Sequence, residues 1–515
     1  MKKRIAFLLV CLICLGTLAT GCGVSKEKEV STGDNTVTFF APLSANLSNI
    51  VKDLSETPVA QEWSKRTGVN IEFIHPSNND QFNLMLASRD LPDIVEHIWI
   101  SYPGGPSKAI KDNLILELTD IINEKSPNLK KYLSENSDIE KQLKTDDGEH
   151  YVYPLVRSDE MLLTTTGPVI RKDWLDDLNL EVPETISEWE NMLRAFKNQK
   201  GAQSPLVIKT MSNIYEYGAF LGAYGVVRGF FIDDNGKVQY GAVMPEYKEF
   251  LRTMNRWYKE GLLDENFTAP DAKMVDSAML NGKAGATIGA LGGGIGKWLN
   301  SKPDDKYDLI GAPWPVLNKG ERHKFSSRQS KVSGYGAAIS TNCKNIDAAA
   351  KLLDYVYSDE GIMLMNFGIE GVSYNMENGY PKYTELITNN PDGQSMAVAL
   401  AQYARSGSSG AFVQDRRYLE QYAGLPQQQD ALKKWMDTDA EKHMLPPLTP
   451  KEEESAVISS FLSNANTLVE EMTVKLIMGQ IDFDEWDKYV ENVKKAGLNE
   501  ALAVYQKALD RYNNR

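Results

Sequence analysis

Short β-type runs alternate with helical stretches in the first third of the chain, and this alternation constrains the fold more than any other feature. The β-type runs lie at 37–41, 69–74 and 91–95, and the helical patterns between them lie at 59–67 and 82–87. Strands separated by helices of this length form βαβ units with parallel strands. The pattern predicts an α/β fold that binds its ligand in the crevice beyond the carboxyl ends of the strands.

The rest of the chain continues the α/β pattern and ends in helices. Residues 151–155 lead into a second α/β segment, and a helix is predicted at 187–197, where Ser187 and Glu190 form a capping-box pattern. A β-type run is predicted at 333–340. From Pro450 onward the pattern is helical almost to the end. A chain of 515 residues exceeds what one hydrophobic core usually serves, so two lobes are expected.

The N-terminus has the pattern of a secretory signal. Lys2, Lys3 and Arg4 precede a short apolar run, which ends in small residues before Cys22. A run this short does not span a bilayer, and the order of its parts is typical of a signal peptide over residues 1–21. The segment Leu18-Ala19-Thr20-Gly21-Cys22 resembles the lipobox of bacterial lipoproteins, and this resemblance implies cleavage before Cys22 and acylation of its thiol.

Cysteine content agrees with an exported, lipid-anchored chain. Cleavage would remove Cys11 and Cys14 and acylation would occupy Cys22, which leaves Cys343 alone, so we expect no internal disulfide. Acyl chains on Cys22 would hold the protein at the membrane surface. The polar residues up to Thr36 then read as a flexible tether, so residues 22–36 are expected to be anchor and linker.

Charge and motifs exclude several functions. The formal charge is −14, and it becomes about −17 without the three cations of the signal, a balance that excludes nucleic acid as a partner. The five histidines lack the spacing of metal-binding motifs, and the sequence has no GxSxG elbow. The stretch 289–297 looks like a phosphate-binding loop, but Leu291 replaces its first glycine and Trp298 replaces its Ser or Thr.

Six segments together resemble one family. In chain order they are Leu91-Pro92-Asp93-Ile94, Tyr151-Val152-Tyr153-Pro154, Ile170-Arg171-Lys172-Asp173-Trp174-Leu175, Val182-Pro183-Glu184-Thr185, Ser333-Gly334-Tyr335-Gly336 and Asn366-Phe367-Gly368-Ile369-Glu370-Gly371. Each is weak alone, but their order over nearly the whole mature chain is similar to the extracellular solute-binding proteins of carbohydrate-uptake ABC transporters (family 1), in their LipO-like lipoprotein branch.

The resemblance implies a fold and a function. The fold is a two-lobe, periplasmic-binding-protein-like α/β fold of type II, with the ligand in a cleft between lobes that close by a hinge motion. Lobe I is expected at 37–155 plus about 335–395, and lobe II at 156–334 plus about 396–515. The implied function is capture of an oligosaccharide by a membrane-anchored protein outside the cytoplasm and its delivery to the transmembrane permease subunits. We expect a monomer without enzymatic activity, cofactor or metal.

Candidate ligand contacts are aromatic and polar residues in loops, because sugars offer apolar faces rimmed by hydroxyls. By the resemblance, the ligand loop of the first lobe contains His97, Trp99 and Tyr102. Related sugar binders place an acidic residue and an aromatic platform at the positions of Tyr215, Glu216 and Tyr217. Arg157 and Arg171 could donate to hydroxyls, or to a carboxylate if the sugar is a uronate. The other candidates are Trp298, Trp314, Tyr335 and Tyr374. For any one aromatic, packing is about as frequent a role as ligand contact.

Some alternatives stay open. A surface-anchored glycoside hydrolase would share the signal and the aromatics, and with 70 acidic residues a catalytic carboxylate pair is not excluded. A sensor subunit, or a binder of peptides or other solutes, also fits. Relatives that bind acidic polysaccharides carry an Asp/Asn-rich calcium loop after the helix at 187–197, but residues 198–203 here contain no carboxylate, so no calcium site is expected. For Asp233-Asp234-Asn235-Gly236 a hairpin turn is favoured over calcium binding.

Overall fold

The computed structural model describes residues 35–76, 79–215, 219–269, 271–407 and 410–515. The strands are β1 Thr36–Phe40, β2 Asn70–Ile74, β3 Ile94–Ile98, β4 Tyr153–Arg157, β5 Thr166–Arg171, β6 Leu206–Val207, β7 Phe230–Ile232, β8 Val238–Tyr240, β9 Ala286–Ala290, β10 Leu309–Gly311, β11 Val332–Ile339, β12 Tyr374–Glu377, β13 Tyr380–Tyr383 and β14 Phe412–Gln414.

The helices are α1 Pro58–Thr67, α2 Asn79–Ser88, α3 Gly105–Lys111, α4 Thr119–Lys125, α5 Pro127–Glu135, α6 Ser137–Leu143, α7 Lys172–Leu178, α8 Ile186–Lys200, α9 Ser212–Tyr215, α10 Pro245–Lys259, α11 Ala272–Leu280, α12 Lys297–Asn300, α13 Ile346–Tyr355, α14 Asp359–Phe367, α15 Glu385–Thr388, α16 Met396–Tyr403, α17 Arg416–Tyr422, α18 Pro426–Met436, α19 Ala440–His443, α20 Glu452–Met478, α21 Trp486–Lys495 and α22 Leu498–Asn513.

The first sheet has the strand order β14-β4-β11-β3-β1-β2. β1 pairs in parallel with both β2 and β3, β14 pairs in parallel with β4, and β11 runs antiparallel between β3 and β4. Phe39, Ile94, Val95 and Ala338 are fully buried, because helices cover both faces of a largely parallel sheet. This sheet and the core around it form the first lobe.

The second sheet has the order β10-β5-β9-β6. β9 pairs in parallel with β6, whereas β5 runs antiparallel to both β9 and β10. A separate core packs around it, and Trp189, Phe196 and Trp257 are among its fully buried side chains. This sheet and its core form the second lobe. Helix α18 packs against β10 and β5 of this sheet.

Helix ends follow local sequence. α1 begins after Thr57, whose side chain accepts from the backbone of Ala60, and it ends at Gly68 in the left-handed conformation. The capping box of α8 pairs Thr185 with Glu188, so the prediction of Ser187 and Glu190 was wrong by two residues. Thr185 has the extended backbone that an N-cap requires, whereas Ser187 already lies inside the helix.

The third strand and the last strand of the first sheet differ from the sequence prediction. β3 begins at Ile94 rather than at residue 91. Pro92 has no backbone N–H to donate to a neighbouring strand, and the carboxylate of Asp93 accepts a hydrogen bond from the Thr38 hydroxyl. β14 pairs with β4, although it lies in the range 396–515 that we expected in the second lobe. The proposed boundary of the first lobe therefore extends to Gln414.

The hairpin prediction is confirmed, whereas the N-terminal predictions are not tested. β7 and β8 pair antiparallel around Asp233, whose side chain accepts from the backbone of Asn235 and Lys237. The signal peptide, Cys22 and nearly all of the tether lie outside the described residues. Within the described ranges, every helix is too short or too polar to cross a membrane.

Candidate ligand-binding cleft

The sheet topology places the carboxyl ends of the parallel strands of both lobes at the same cleft. β1, β2, β3, β4 and β14 run in one direction, and the chain leaves the first sheet from their carboxyl ends, where it crosses from Arg157 to the start of β5 at Thr166. β5 runs antiparallel to the other strands of the second sheet, so the carboxyl ends of β6, β9 and β10 lie at the edge where β5 enters. Ligands of open α/β sheets bind beyond such edges.

The carboxyl end of β3 contributes a histidine to this edge, whereas the tryptophan of the loop that follows is buried. His97 stacks on Phe82 with ring centroids 3.9 Å apart, and burial lowers the pKa of His97 to about 4. Trp99, a predicted ligand contact, is fully buried, and its indole N–H donates to the carbonyl of Val95. Tyr102 donates to Asp112 at 2.9 Å, so its hydroxyl has a partner within the lobe.

Arg157 ends β4 at the cleft and has an unusual environment. Its Nη1 atom is buried without a hydrogen-bond partner, and burial lowers the pKa of its guanidinium. Tyr418 of α17 lies near enough to interact electrostatically with this guanidinium, and its ring centroid is 6.2 Å from that of Tyr422 one turn later. Arg157 therefore lies near the α17 aromatic face, which consists of the buried Tyr418 and the half-buried Tyr422.

A glycine-rich π-helical turn, Leu291–Gly296, follows β9 on the opposite side. A Cβ atom on Gly292 would lie 2.2 Å from the ring of Tyr422, whereas one on Gly293 would meet nothing within 4 Å. The turn thus needs glycine at 292 for the close approach of α17. It brings Tyr422 of the α17 aromatic face against the second lobe at the carboxyl end of β9.

Lys209 reaches the same turn from the loop after β6. Its ammonium lies 3.4 Å from the carbonyl oxygen of Gly293 and 5.6 Å from the ring centroid of Trp298. Burial lowers its pKa. Trp298 itself is fully buried, and its indole donates to Asp276 at 2.9 Å, so it packs behind the turn instead of lining the cleft.

Arg171 lies away from the cleft. It ends β5, whose antiparallel direction places its carboxyl end at the far edge of the second sheet. Its guanidinium donates to both carboxylate oxygens of Asp173 at 2.8 and 2.5 Å, and it stacks on Trp174 and Tyr307. The prediction of a ligand contact for Arg171 is therefore replaced by a structural ion pair.

The remaining candidates are mostly buried. Trp314 follows β10 and donates its indole N–H to the carbonyl of Trp435 at 2.9 Å. Tyr215 is buried under the guanidinium of Arg228, with 4.2 Å from the carbon of that group to the ring centroid. Tyr374 is buried at the start of the β12–β13 hairpin. Glu216 and Tyr217 lie outside the described residues.

Tyr335 reveals a buried ion pair that the sequence did not indicate as part of the site. It is partly exposed in β11, and its hydroxyl approaches Glu96 at 3.4 Å. Glu96 is fully buried in β3 and pairs with Arg405, which follows α16. A charged residue inside an apolar strand was the available signal for such a pair, since buried charges require a partner.

The stretch compared with a calcium loop forms the end of α8. Lys200 closes the helix and pairs with Asp177 at 2.5 Å, and Gly201 caps it in the left-handed conformation. Across the described part of the chain, no group of three or more His, Cys, Asp or Glu side chains is arranged to hold a metal ion.

Two α/β lobes whose strand ends meet at a shared cleft define the class of two-lobe solute-binding proteins. The chain matches the family described as bacterial extracellular solute-binding protein over residues 50–363, and it belongs to that family. It is 24% identical over 526 aligned residues to lipoprotein LipO of Bacillus subtilis, covering 98% of each chain. It is also 24% identical to the fructooligosaccharide ABC transporter substrate-binding protein FusA of Streptococcus pneumoniae, covering 90% of this chain and 88% of FusA.

Solved structures share the fold. The alginate-binding protein AlgQ2, solved without calcium ion, aligns with a TM-score of 0.76 at 24% identity and covers 92% of this chain and 98% of its own. FusA of S. pneumoniae in complex with kestose gives the same TM-score at 21% identity, covering 93% of this chain and 99% of that one. These likenesses confirm the predicted two-lobe α/β fold.

Proposed function

We propose that this protein is the substrate-binding subunit of an ABC importer for oligosaccharides, anchored by lipid on Cys22 at the extracytoplasmic face of the membrane. The observation that carries the proposal is the cleft at which the carboxyl ends of both sheets meet, with a polar group from each lobe, Arg157 and Lys209, beside the glycine-rich turn. The family and the names of its relatives, among them a fructooligosaccharide-binding protein, support the choice of sugar as cargo.

Closure around the ligand gives the mechanism. A sugar in the cleft contacts both lobes only when they are closed, so it binds that state more tightly and shifts the population toward it. Tyr422 of the α17 aromatic face is half-buried and would offer apolar surface for pyranose C–H groups, with the buried Tyr418 packed behind it. The permease would then recognise the closed form, and no bond of the glycan would be broken.

The first experiment is thermal unfolding of the soluble domain, from Val24 onward, with a panel of oligosaccharides. A ligand of the native state adds about 2.7 kcal/mol of stability at a hundredfold excess over its dissociation constant, so a cognate glycan should raise the melting temperature. Mass spectrometry of the glycan afterward should show it intact. A shortened glycan would favour a surface hydrolase, and no shift with any sugar would contradict the proposal.

The lipid anchor has its own test. In cells labelled with an alkyne fatty acid, the full chain should carry the label and sediment with membranes, whereas a Cys22→Ser variant should lose the label. Label retained by the variant would contradict acylation at Cys22. Cys343 is the matched control, because it is buried and a Cys343→Ser variant should keep the label.

A further inference from the structure

The last three helices, α20–α22, contact both lobes, although their apolar faces belong to the second one. Phe461 and Ala501 are buried in the core of the second lobe. Asn255 of α10 donates to the carbonyls of Leu476 and Ile477, at the end of α20, at 2.8 and 3.1 Å. The opposite ends of α20 and α22 form ion pairs with the first lobe. These helices therefore connect the lobes without a covalent crossing.

A buried carboxylate of the first lobe holds the end of α22. Asp146 follows α6, and its side chain is only 2% exposed. Its Oδ2 accepts from Nε of Arg511 at 2.6 Å, and its Oδ1 accepts from the guanidinium of Arg515. Nη1 of Arg511 also donates to Glu454, in the first turn of α20, at 2.9 Å. These four residues, which we call the Asp146 cluster, join the first lobe to both helices.

The cluster is built to stay formed. Arg515 also donates to the backbone carbonyl of Lys144 at 2.5 Å, so it binds the loop as well as the carboxylate. Separating the helices from this loop would leave Asp146 as a buried charge without a partner, which is costly. The other ion pair between α20 and the first lobe is much weaker by comparison, because Lys108 and Glu452 lie 3.5 Å apart with side chains 33% and 45% exposed.

The Asp146 cluster lies beside the segments that cross between the lobes. The backbone N–H of Arg157 donates to the carbonyl of Lys331 at 2.9 Å, so the chain leaving β4 and the chain entering β11 run side by side. The ammonium of Lys331 pairs with Asp138 of α6 at 2.9 Å. Tyr512 of α22 lines the same groove as Lys331 and Leu163 of the first crossing. The end of α22 therefore adjoins both crossings.

A hinge motion displaces atoms in proportion to their distance from its axis, and the covalent crossings mark that axis. We propose that the Asp146 cluster is the pivot of this motion: it stays formed in the open and the closed protein and fixes the axis on which the lobes turn. Closure then moves the cleft edge, where His97 and the glycine-rich turn lie, and leaves the cluster in place. The inference rests on the proposed function, since closure around an oligosaccharide is the motion it describes.

The test measures one distance on each side of the axis. The chain from Val24 onward, in a Cys343→Ser background, carries spin labels either at Asp147→Cys/Asn235→Cys or at Ser101→Cys/Asn300→Cys. All four labelled positions are exposed. The first pair lies beside the Asp146 cluster and at the tip of the β7–β8 hairpin, next to Gly236 of the hinge groove, and the second pair follows β3 and the glycine-rich turn.

Pulsed electron paramagnetic resonance records both distances before and after addition of the pooled oligosaccharides of the thermal panel. The cleft-side distance should shorten by about threefold or more of any change on the hinge side. Equal changes in the two distances, or a larger one on the hinge side, would overturn the pivot while closure stands. If no glycan changes the cleft-side distance, the proposed closure fails together with the inference.

A variant of the cluster gives a second measurement. Arg511→Met removes one arginine but leaves Asp146 paired with Arg515, so the buried carboxylate keeps a partner. It should broaden the hinge-side distance distribution and weaken glycan binding by about threefold or more, because fewer molecules hold the geometry that closes correctly. Lys507→Met is the matched control, since this cation is exposed one turn earlier on the same helix.

The readouts separate a pivot from a contact that only stabilises the fold. A structural contact would lower the melting temperature of Arg511→Met without broadening the hinge-side distribution of the folded protein. That result, or equal distributions and affinities in Arg511→Met and Lys507→Met, would overturn the assignment. The label pairs in the otherwise unchanged chain test the pivot even if Arg511→Met does not fold.

Discussion

Arg405 donates through both terminal nitrogens to the two carboxylate oxygens of Glu96, at 3.1 and 3.0 Å, in the interior of the first lobe. The Glu96 side chain is fully buried in β3, and the hydroxyl of Tyr335 approaches the same carboxylate. A bidentate pair in such a setting fixes the end of α16 against the sheet close to the cleft edge.

Replacing only one partner of this pair should destabilise the protein more than replacing both partners with neutral residues. Glu96→Gln or Arg405→Met leaves one buried charge alone and should lower the free energy of unfolding by about 3–5 kcal/mol. The double variant Glu96→Gln/Arg405→Met leaves no buried charge and should be more stable than the Arg405→Met variant. Urea denaturation checks this, and additive losses in the double variant would contradict the pairing.

Two buried histidines should make the protein less stable as the pH falls, and this loss should begin at a higher pH than the titration of most carboxylates. Burial lowers the pKa of both His150 and His323 to about 4, so the unfolded chain binds more protons than the folded one between pH 6.5 and 4. Stability should therefore fall as the pH is lowered through this window, by about 1–3 kcal/mol for each histidine.

The free energy of unfolding at pH 7.0, 6.0, 5.0 and 4.5 measures this dependence. His150→Gln should reduce the slope, since Gln does not titrate and can still bond Thr119. An unchanged slope in His150→Gln would contradict the assignment.

Substitutions of Trp298 test whether this aromatic candidate packs in the core or contacts the ligand. It is fully buried, and its ring lies against the backbone positions of Gly289 and Gly294. Trp298→Ala should lower the free energy of unfolding by about 3–5 kcal/mol through loss of packing. Trp298→Phe keeps most of that packing and loses the bond to Asp276, so it should cost less, and a stable Trp298→Ala protein that lost only ligand affinity would contradict this role.

Local sequence predicted the elements well because their signals are local. The runs with buried Phe39 and Val95 became strands, and the glycine at 68 ended α1 as expected. Strand direction within a sheet is not a local property, and for that reason Arg171 was placed at the cleft although β5 carries it to the far edge. The same limit applies to β14, since no pattern at 412–414 shows that it pairs with β4.

The sequence predicted the positions of loops more accurately than the burial of the side chains they carry. The loop after β3 and the glycine-rich turn do lie at strand carboxyl ends, as the alternation of strands and helices implied. Trp99 packs in the core, whereas Tyr422 contacts the glycine-rich turn. The sequence could not distinguish these two positions, because both residues are simply aromatic. That distinction depends on which face of α17 meets Gly292, and so on tertiary packing.

Gly292 provides a test of the cleft that does not alter any proposed ligand group. An alanine there would place its Cβ atom 2.2 Å from the ring of Tyr422, which is half-buried and must move. Overpacking of this kind costs about 1–3 kcal/mol, and here it should shift the α17 aromatic face and weaken oligosaccharide binding by about tenfold or more. Gly293→Ala is the matched control, because its Cβ would meet nothing within 4 Å. Titration of the cognate glycan by calorimetry distinguishes the two variants, and equal affinities in both would place the sugar away from this turn.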